Sequence, residues 1–440
     1  MKQSNIMSIN NELFIERSKE YFGEDYLDFL NELDKPCTQG FFLNTNKADK
    51  ETILNLLDFE YHSSELTDES YYHNSDNIGK TKAYELGLIY PQEIAASLSS
   101  KFIDKENIHT VVDMCAAPGG KTINVLNRLN KDVLCIANDM NHTRVLTLSS
   151  NLERLGLDNV IVTNKNCDEL SNQLEGFGDL VILDAPCSGE GMIRKYPEIL
   201  DDYSINNITS LASLQSDLLE DAYRILNKGG QFLYSTCTYA LEEDENQIVS
   251  FLNRHPDMKL IEIDMASHSK LKGTVKLCPL DNTEGQFIAL LKKDGIREND
   301  SFRYLKTVKD NMADTFIKEN LFIDDYYLYK YNEHFYLSLN PLIDMKNHVL
   351  KYGIYLGDIR NKRFEVNHNL YRANSLINRF RYIYDLNDTE YDLFVSGNEF
   401  RFDGDNHYYL LTYKGLSIGY GKCSNGMMKN KYPKGLRRML

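Results

Sequence analysis

The chain has 440 residues, of which 42% are hydrophobic and 26% charged, with a net charge of -16 at neutral pH. That length exceeds one ordinary core, so about two to four domains are expected, and the acidic balance excludes a chain that coats nucleic acid indiscriminately. No run is apolar enough to span a bilayer and the amino terminus lacks a secretion-signal layout, so a cytoplasmic protein with no membrane partner is expected.

In chain order, residues 11–21 and 26–33 place apolar side chains at helical spacing and 40–44 reads as a strand, which makes 1–76 a small α+β cap. The polar run 67–80, rich in Ser, Asn, Asp and Tyr, is its expected boundary. Pro91 stands near a helix start, with 94–98 continuing the helix. Strands then read at 110–113, 133–138, 160–163, 180–184, 231–236, 260–263 and 286–291, with helices at 122–129, 141–155, 205–226 and 242–253 between them. This alternation over 77–294 predicts an α/β fold, a mainly parallel seven-stranded sheet covered on both faces.

Helix 205–226 is the clearest, since Ser204 can cap it, Ile205, Ile208, Leu211, Leu214, Leu218, Ala222 and Ile225 share a face, and Gly229 ends it. Beyond 293 the composition shifts towards Tyr, Asn and Asp, with strand-like runs at 326–329, 335–339, 352–356 and 408–413, so 300–440 should hold one or two small β-rich modules. From 406 to 440 there is no Asp or Glu, whereas Lys414, Lys422, Lys429, Lys431, Lys434, Arg437 and Arg438 all occur. On charge alone such a tail is either a solvated end or a place where phosphate is met.

The chemistry gathers at strand ends. Residues 111–122 form an apolar approach, a glycine turn at Gly119 and Gly120, and a helix start, which lets the backbone approach a ligand closely and aims free N–H groups at an anion. Cys115 to Thr122 misses the phosphate-loop pattern of nucleotide triphosphatases only by the cysteine at its first glycine, so that reading stays open. Asp139 closes the second strand, where a carboxylate can accept ribose hydroxyls, and Asp184 closes the fourth, ahead of Ala185-Pro186-Cys187-Ser188-Gly189-Glu190-Gly191. The next strand runs into Cys237. The eight cysteines show no C-x-x-C pair or Cys/His cluster, so neither disulfides nor a metal site is expected and reduced, catalytic thiols remain possible. A thiolate that adds at C6 of a pyrimidine activates C5 towards an electrophilic methyl group, and a second thiol or nearby base can help release the first.

Three motifs, DMCAAPGGKT at 113–122, DAPCSGEG at 184–191 and STCT at 235–238, with Tyr90-Pro91-Gln92-Glu93 before them, resemble the Sun/nucleolar-protein type RNA (cytosine-5)-methyltransferases, most closely the RsmF-like branch acting on small-subunit ribosomal RNA. The similarity runs from about residue 10 through the carboxyl terminus. It implies a Rossmann-like class I methyltransferase fold with a PUA-like, RNA-binding end. It also implies S-adenosylmethionine held by Cys115, Ala116, Ala117, Pro118, Gly119, Gly120 and Lys121, with Asp139 at the ribose, Asp184 at the methionine end and target base, Cys237 as nucleophile and Cys187 assisting release. Asn164-Lys165-Asn166 stands where the family often has an acidic residue near the adenine, and Asn166 is the positional choice there, with Asp168 slightly later. The family's early R-x-N reads Phe42-Leu43-Asn44. The implied partner is 16S ribosomal RNA within the small subunit or its precursor, met by a monomer; a non-enzymatic ribosome-assembly protein with a vestigial pocket is the other alternative.

Overall fold

A computed structural model describes residues 11–297 and 302–438. Residues 1–10 of the expected cap, 300–301 at the start of the expected C-terminal region, and 439–440 of the basic tail lie outside the described residues. The N-terminal part opens with helices Glu12–Phe22 and Tyr26–Leu33, the first capped by the Asn11 side chain, which accepts the Phe14 N–H. Four antiparallel strands follow, β1 Gly40–Leu43, β2 Tyr61–Ser63, β3 Ser70–His73 and β4 Ile89–Pro91, in the order β2-β3-β1-β4.

The polar run 67–80 is therefore no boundary, because it contains β3, and β4 carries the cap sheet beyond residue 76. Tyrosines account for the difference. The Tyr71 ring stacks on Phe41 at a centroid distance of 5.6 Å, so a residue whose hydroxyl reads as polar buries its face in the cap core.

The central strands are β5 Thr110–Asp113, β6 Leu134–Asn138, β7 Val160–Thr163, β8 Gly178–Asp184, β9 Leu226–Thr236, β10 Met258–Ile261, β11 Val275–Leu277 and β12 Gln286–Lys293. Strands β9, β8, β5, β6 and β7 lie side by side and parallel, because their runs of Val, Ile and Leu are buried on both faces. β12, β10 and β11 add antiparallel. All seven expected strands are present, but the sheet has nine and is mixed. β11 is too short to show a period, and the ninth strand, Val349–Tyr352, comes from the Tyr-rich C-terminal region and pairs antiparallel with β7.

Helix Ile205–Ile225 is capped by Ser204 as expected, and Ile208, Leu218, Leu219, Ala222 and Ile225 are buried. Ile205 and Leu214 are not, at 42% and 43% exposure, while Gln215 and Leu219 are wholly buried, so the packed face runs through 208, 215, 219 and 222, beside the face that apolar spacing marks. Its chain passes directly into β9 at Leu226, before Gly229.

The C-terminal region forms a four-stranded sheet from Tyr327–Tyr331, His334–Ser338, Ile354–Arg360 and Arg363–Val366. A five-stranded sheet follows, including Tyr408–Tyr413, Leu416–Ser424 and Met427–Asn430. These parts do not stand apart from the rest. Phe41, Leu43 and Ile89 of the cap share one apolar core with Tyr391, Phe394, Leu411 and Ile418 of the last sheet.

The cap is also held to the central part, by a hydrogen bond to one member of a buried ion pair. Arg194 and Glu284 pair at 2.7 Å with side chains only 4% and 3% exposed, and Glu284 also accepts the Thr38 N–H of the cap at 2.8 Å. Arg194→Met would leave that carboxylate buried without its cation, and a loss of about 3–5 kcal/mol is expected in urea unfolding. A midpoint equal to wild type would contradict this.

Candidate active site

β5 has β6 on one side and β8 on the other, so the chain order reverses between β5 and β8, and an open α/β sheet offers its ligand crevice beyond the carboxyl ends at that point. Gly119 turns there with φ +115°, a left-handed conformation that favours glycine, and helix Gly120–Arg128 starts at once. A Cβ on Gly120 would stand 2.7 Å from Nε2 of Gln92, so the loop is packed to backbone thickness.

The Lys121 ammonium reaches Asp184 at 2.8 Å, and Asp184 also accepts the Ser235 hydroxyl at 2.9 Å. Asp113 is wholly buried, takes the Thr122 hydroxyl at 2.6 Å on Oδ2, and leaves Oδ1 without a partner. Burial pushes the Asp113 carboxyl up to about 7; the neighbouring Asp184 charge adds to the rise, while Thr122 and Lys121 oppose it.

That shift has a sign. A carboxyl whose folded pKa is raised binds its proton more tightly when folded, so its contribution to stability is complete below its ordinary value of 3.8 and is lost as pH rises towards about 7. Asp113→Asn, which cannot ionise, is expected to lose less stability than wild type between those pH values, by a few kcal/mol. Parallel pH profiles of the unfolding midpoint would count against it.

Asp139 lies just past β6 and is buried, accepting the Ala117 N–H at 3.3 Å and the Asn141 N–H at 2.9 Å, with Arg144 at 3.6 Å. Asn166 caps helix Cys167–Gln173 in position only, and its exposed side chain makes no capping bond; Asp168 is exposed as well. Cys115 turns towards Cys167, and that hydrogen bond together with burial pushes its thiol well up, which keeps it neutral.

Cys187 and Cys237 follow β8 and β9, which are parallel neighbours paired at Asp184 and Ser235. Their sulfurs lie 3.3 Å apart, and the Cys237 N–H points at the Cys187 sulfur at 3.4 Å. The hydrogen bond with Cys237, then burial, pushes the Cys187 thiol well up, so Cys187 holds its proton beside its neighbour.

Two carboxylates that the motifs did not single out fix the pair. Glu190, next to the Cys187 turn, accepts the Tyr239 N–H at 2.9 Å and the Thr238 hydroxyl at 3.1 Å from the Cys237 turn. Reciprocally, Glu243 beyond Cys237 accepts the Ser188 N–H at 3.0 Å and Gln215 at 2.8 Å. Each loop is thus stapled to the other. Tyr21 and Tyr203 also donate to Glu190, which connects the first helix of the cap to the thiols. Glu190 lies inside the motif at 184–191, whereas Glu243 gives no signal beyond its place in the acidic run 242–245. Behind them Gly191 donates to the Cys237 carbonyl at 2.9 Å and accepts from Gly285 at 3.1 Å.

A mixed Rossmann-like sheet carrying a glycine loop, strand-end carboxylates and paired thiols defines a methyltransferase. Family profiles agree along the chain: the N-terminal domain of 16S rRNA methyltransferase RsmF at residues 11–94, 16S rRNA methyltransferase RsmB/F at 101–292, and the methyltransferase RsmF PUA domain at 381–438. The chain belongs to this RsmB/F family of rRNA methyltransferases.

A ribosomal RNA small subunit methyltransferase F from Shewanella loihica is 28% identical over 455 residues, covering 93% of this chain and 91% of the relative. One from Escherichia coli is 31% identical over 285 residues, covering 60% of this chain and 59% of the relative. The crystal structure of a methyltransferase homolog protein from Pyrococcus horikoshii matches with a TM-score of 0.57 and 28% identity, over 64% of this chain and 94% of that one. Membership sets aside both the triphosphatase and the non-enzymatic alternatives. Among the described residues no helix is long and apolar enough to cross a membrane.

Proposed function

We propose that the chain methylates C5 of cytosine in 16S ribosomal RNA through a covalent bond between Cys237 and C6 of the base. The 3.3 Å approach of two sulfurs at the ligand edge of the sheet is the observation that carries this reading. S-adenosylmethionine supplies the electrophilic methyl group. The residues present suit it: the tightly packed glycine turn opens helix Gly120–Arg128, whose first-turn N–H groups have no intrahelical acceptor, Asp139 offers a carboxylate for hydroxyls, and the buried Oδ1 of Asp113 lacks a donor. Lys121 and Asp184 would bracket the charged amino-acid end, with Asn166 nearest the adenine.

The protein's own groups then act in order. The Cys237 thiolate adds to C6 and N3 takes up a proton, for which Asp184 in its protonated form is the donor at the base edge. Once Cys237 is bonded to C6 it no longer hydrogen-bonds its neighbour, the largest cause of the raised Cys187 thiol, so Cys187 can pass its proton to water and act as the base. Cys187 then takes the hydrogen from methylated C5, the C5–C6 double bond re-forms, and the bond to Cys237 breaks. The cap and the C-terminal module hold the RNA on either side, with the target base drawn out of its stack. The protein works as a monomer in the cytoplasm, on the small subunit or its precursor, and uses no metal.

Incubating the protein with methyl-labelled S-adenosylmethionine and unmodified 16S RNA, followed by nucleoside mass spectrometry, tests the reading. 5-Methylcytidine is expected. Label on adenosine, on a ribose, or on no nucleoside at all would overturn it.

A further inference from the structure

Between the cap, helix His142–Leu155 and the C-terminal module lies a cavity of about 720 Å³. Lys80, Arg154, Arg372, Arg437 and Arg438 line it, against only Glu85 and Glu153. Both carboxylates are already engaged. Arg438 lies 2.6 and 2.7 Å from the two oxygens of Glu85, and Lys351 lies 3.5 Å from Glu153.

Among the described residues Lys80, Arg154, Arg372 and Arg437 have no carboxylate at ion-pair distance. Arg154 sits 3.7 Å over the Tyr84 ring and gives Nη1 to the carbonyls of Tyr84 and Ile89, yet its buried Nε and Nη2 have no partner. Nδ1 of His368, in the same wall, is buried and unpartnered too. Arg372, 3% exposed, donates only to neutral carbonyls, among them Ser417 and Glu85 at 3.0 Å each.

The positive charge is therefore not cancelled inside the protein. Burial and then the Arg372 charge push His368 down to about 3 and Lys47 well down. Buried charge left unpaired is costly, and guanidinium forks match phosphate oxygens.

We propose that this cavity binds a phosphate group, with Arg154 and His368 at its floor and Lys80 and Arg437 at its rim. Asn151 lines the same cavity and donates to the Pro118 carbonyl at 2.9 Å, so the pocket adjoins the glycine loop of the active site. That position favours a backbone phosphate of the RNA substrate, an assignment that rests on the proposed function. Free inorganic phosphate or a phosphorylated metabolite would present the same oxygens.

Two full-length variants test the pocket: Arg154→Gln, and the rim pair Lys80→Gln with Arg437→Gln, which leaves the buried side chains in place. Millimolar inorganic phosphate should raise the wild-type unfolding midpoint by a few degrees over chloride of equal ionic strength, and neither variant should respond. Binding of a 16S RNA fragment should weaken about tenfold, and its salt dependence should fall by about one for each charge removed. S-adenosylmethionine binding should not change.

Lost phosphate protection with unchanged RNA affinity would assign the pocket to a free phosphate. Weakened RNA binding without phosphate protection would assign it to the chain-borne phosphodiester. If phosphate leaves the wild-type midpoint where chloride does and both variants bind RNA like wild type, the proposal is overturned. A protein that shows phosphate protection but forms no 5-methylcytidine would instead sink the proposed function.

Discussion

Cys237→Ala is expected to lower methyl transfer by at least about four orders of magnitude, because without the sulfur C5 of cytosine is not activated at all. Cys187→Ala should behave differently. Its partner sulfur, 3.3 Å away in the wild type, can still add to the base, but the group positioned to take the C5 hydrogen is gone. An RNA–protein adduct that survives a denaturing gel should build up in Cys187→Ala and be absent from Cys237→Ala. The reverse pattern would exchange the two roles. Both variants should bind S-adenosylmethionine like wild type, which separates lost chemistry from lost folding.

The second large effect is expected from one methyl group behind the thiols. A Cβ on Gly191 would lie 2.5 Å from the Gly285 Cα and 2.9 Å from the Cys237 carbonyl oxygen. Both neighbours are backbone and cannot rotate away, so Gly191→Ala must push the Cys237 turn outward. A stability loss of about 1–3 kcal/mol is expected from overpacking, and a displacement near 1 Å should cut kcat about 100-fold. The two readouts together are diagnostic, since a variant with lower stability but normal kcat at low temperature would show that the turn does not need this support.

The sequence conveyed the centre of the protein better than its flanks. β5 to β9 were legible because uninterrupted Val, Ile and Leu runs separated by helix-period segments have few other solutions, and their ends placed Lys121, Asp184, Cys187 and Cys237 together. Asn166 is marked by position alone, and its side chain is exposed. Glu190 and Glu243 were not legible as staples because each bonds to a turn about 50 residues away, a relation that exists only once β8 and β9 lie side by side. Residues 349–352 do not announce themselves as part of the central sheet for a similar reason: four residues in a Tyr-rich stretch carry no mark of the strand they will join.

The apolar core shared by the first sheet and the last one also sets a timetable for synthesis. Phe41, Leu43 and Ile89 leave the ribosome early, but Tyr391, Phe394, Leu411 and Ile418, which cover them, lie roughly 300 residues later, a delay of some 15–60 s at about 5–20 residues per second. During that interval the newborn cap presents an uncovered greasy face, open to chaperones and to aggregation. Its final stability is a late, cooperative event that waits for the other end of the polypeptide.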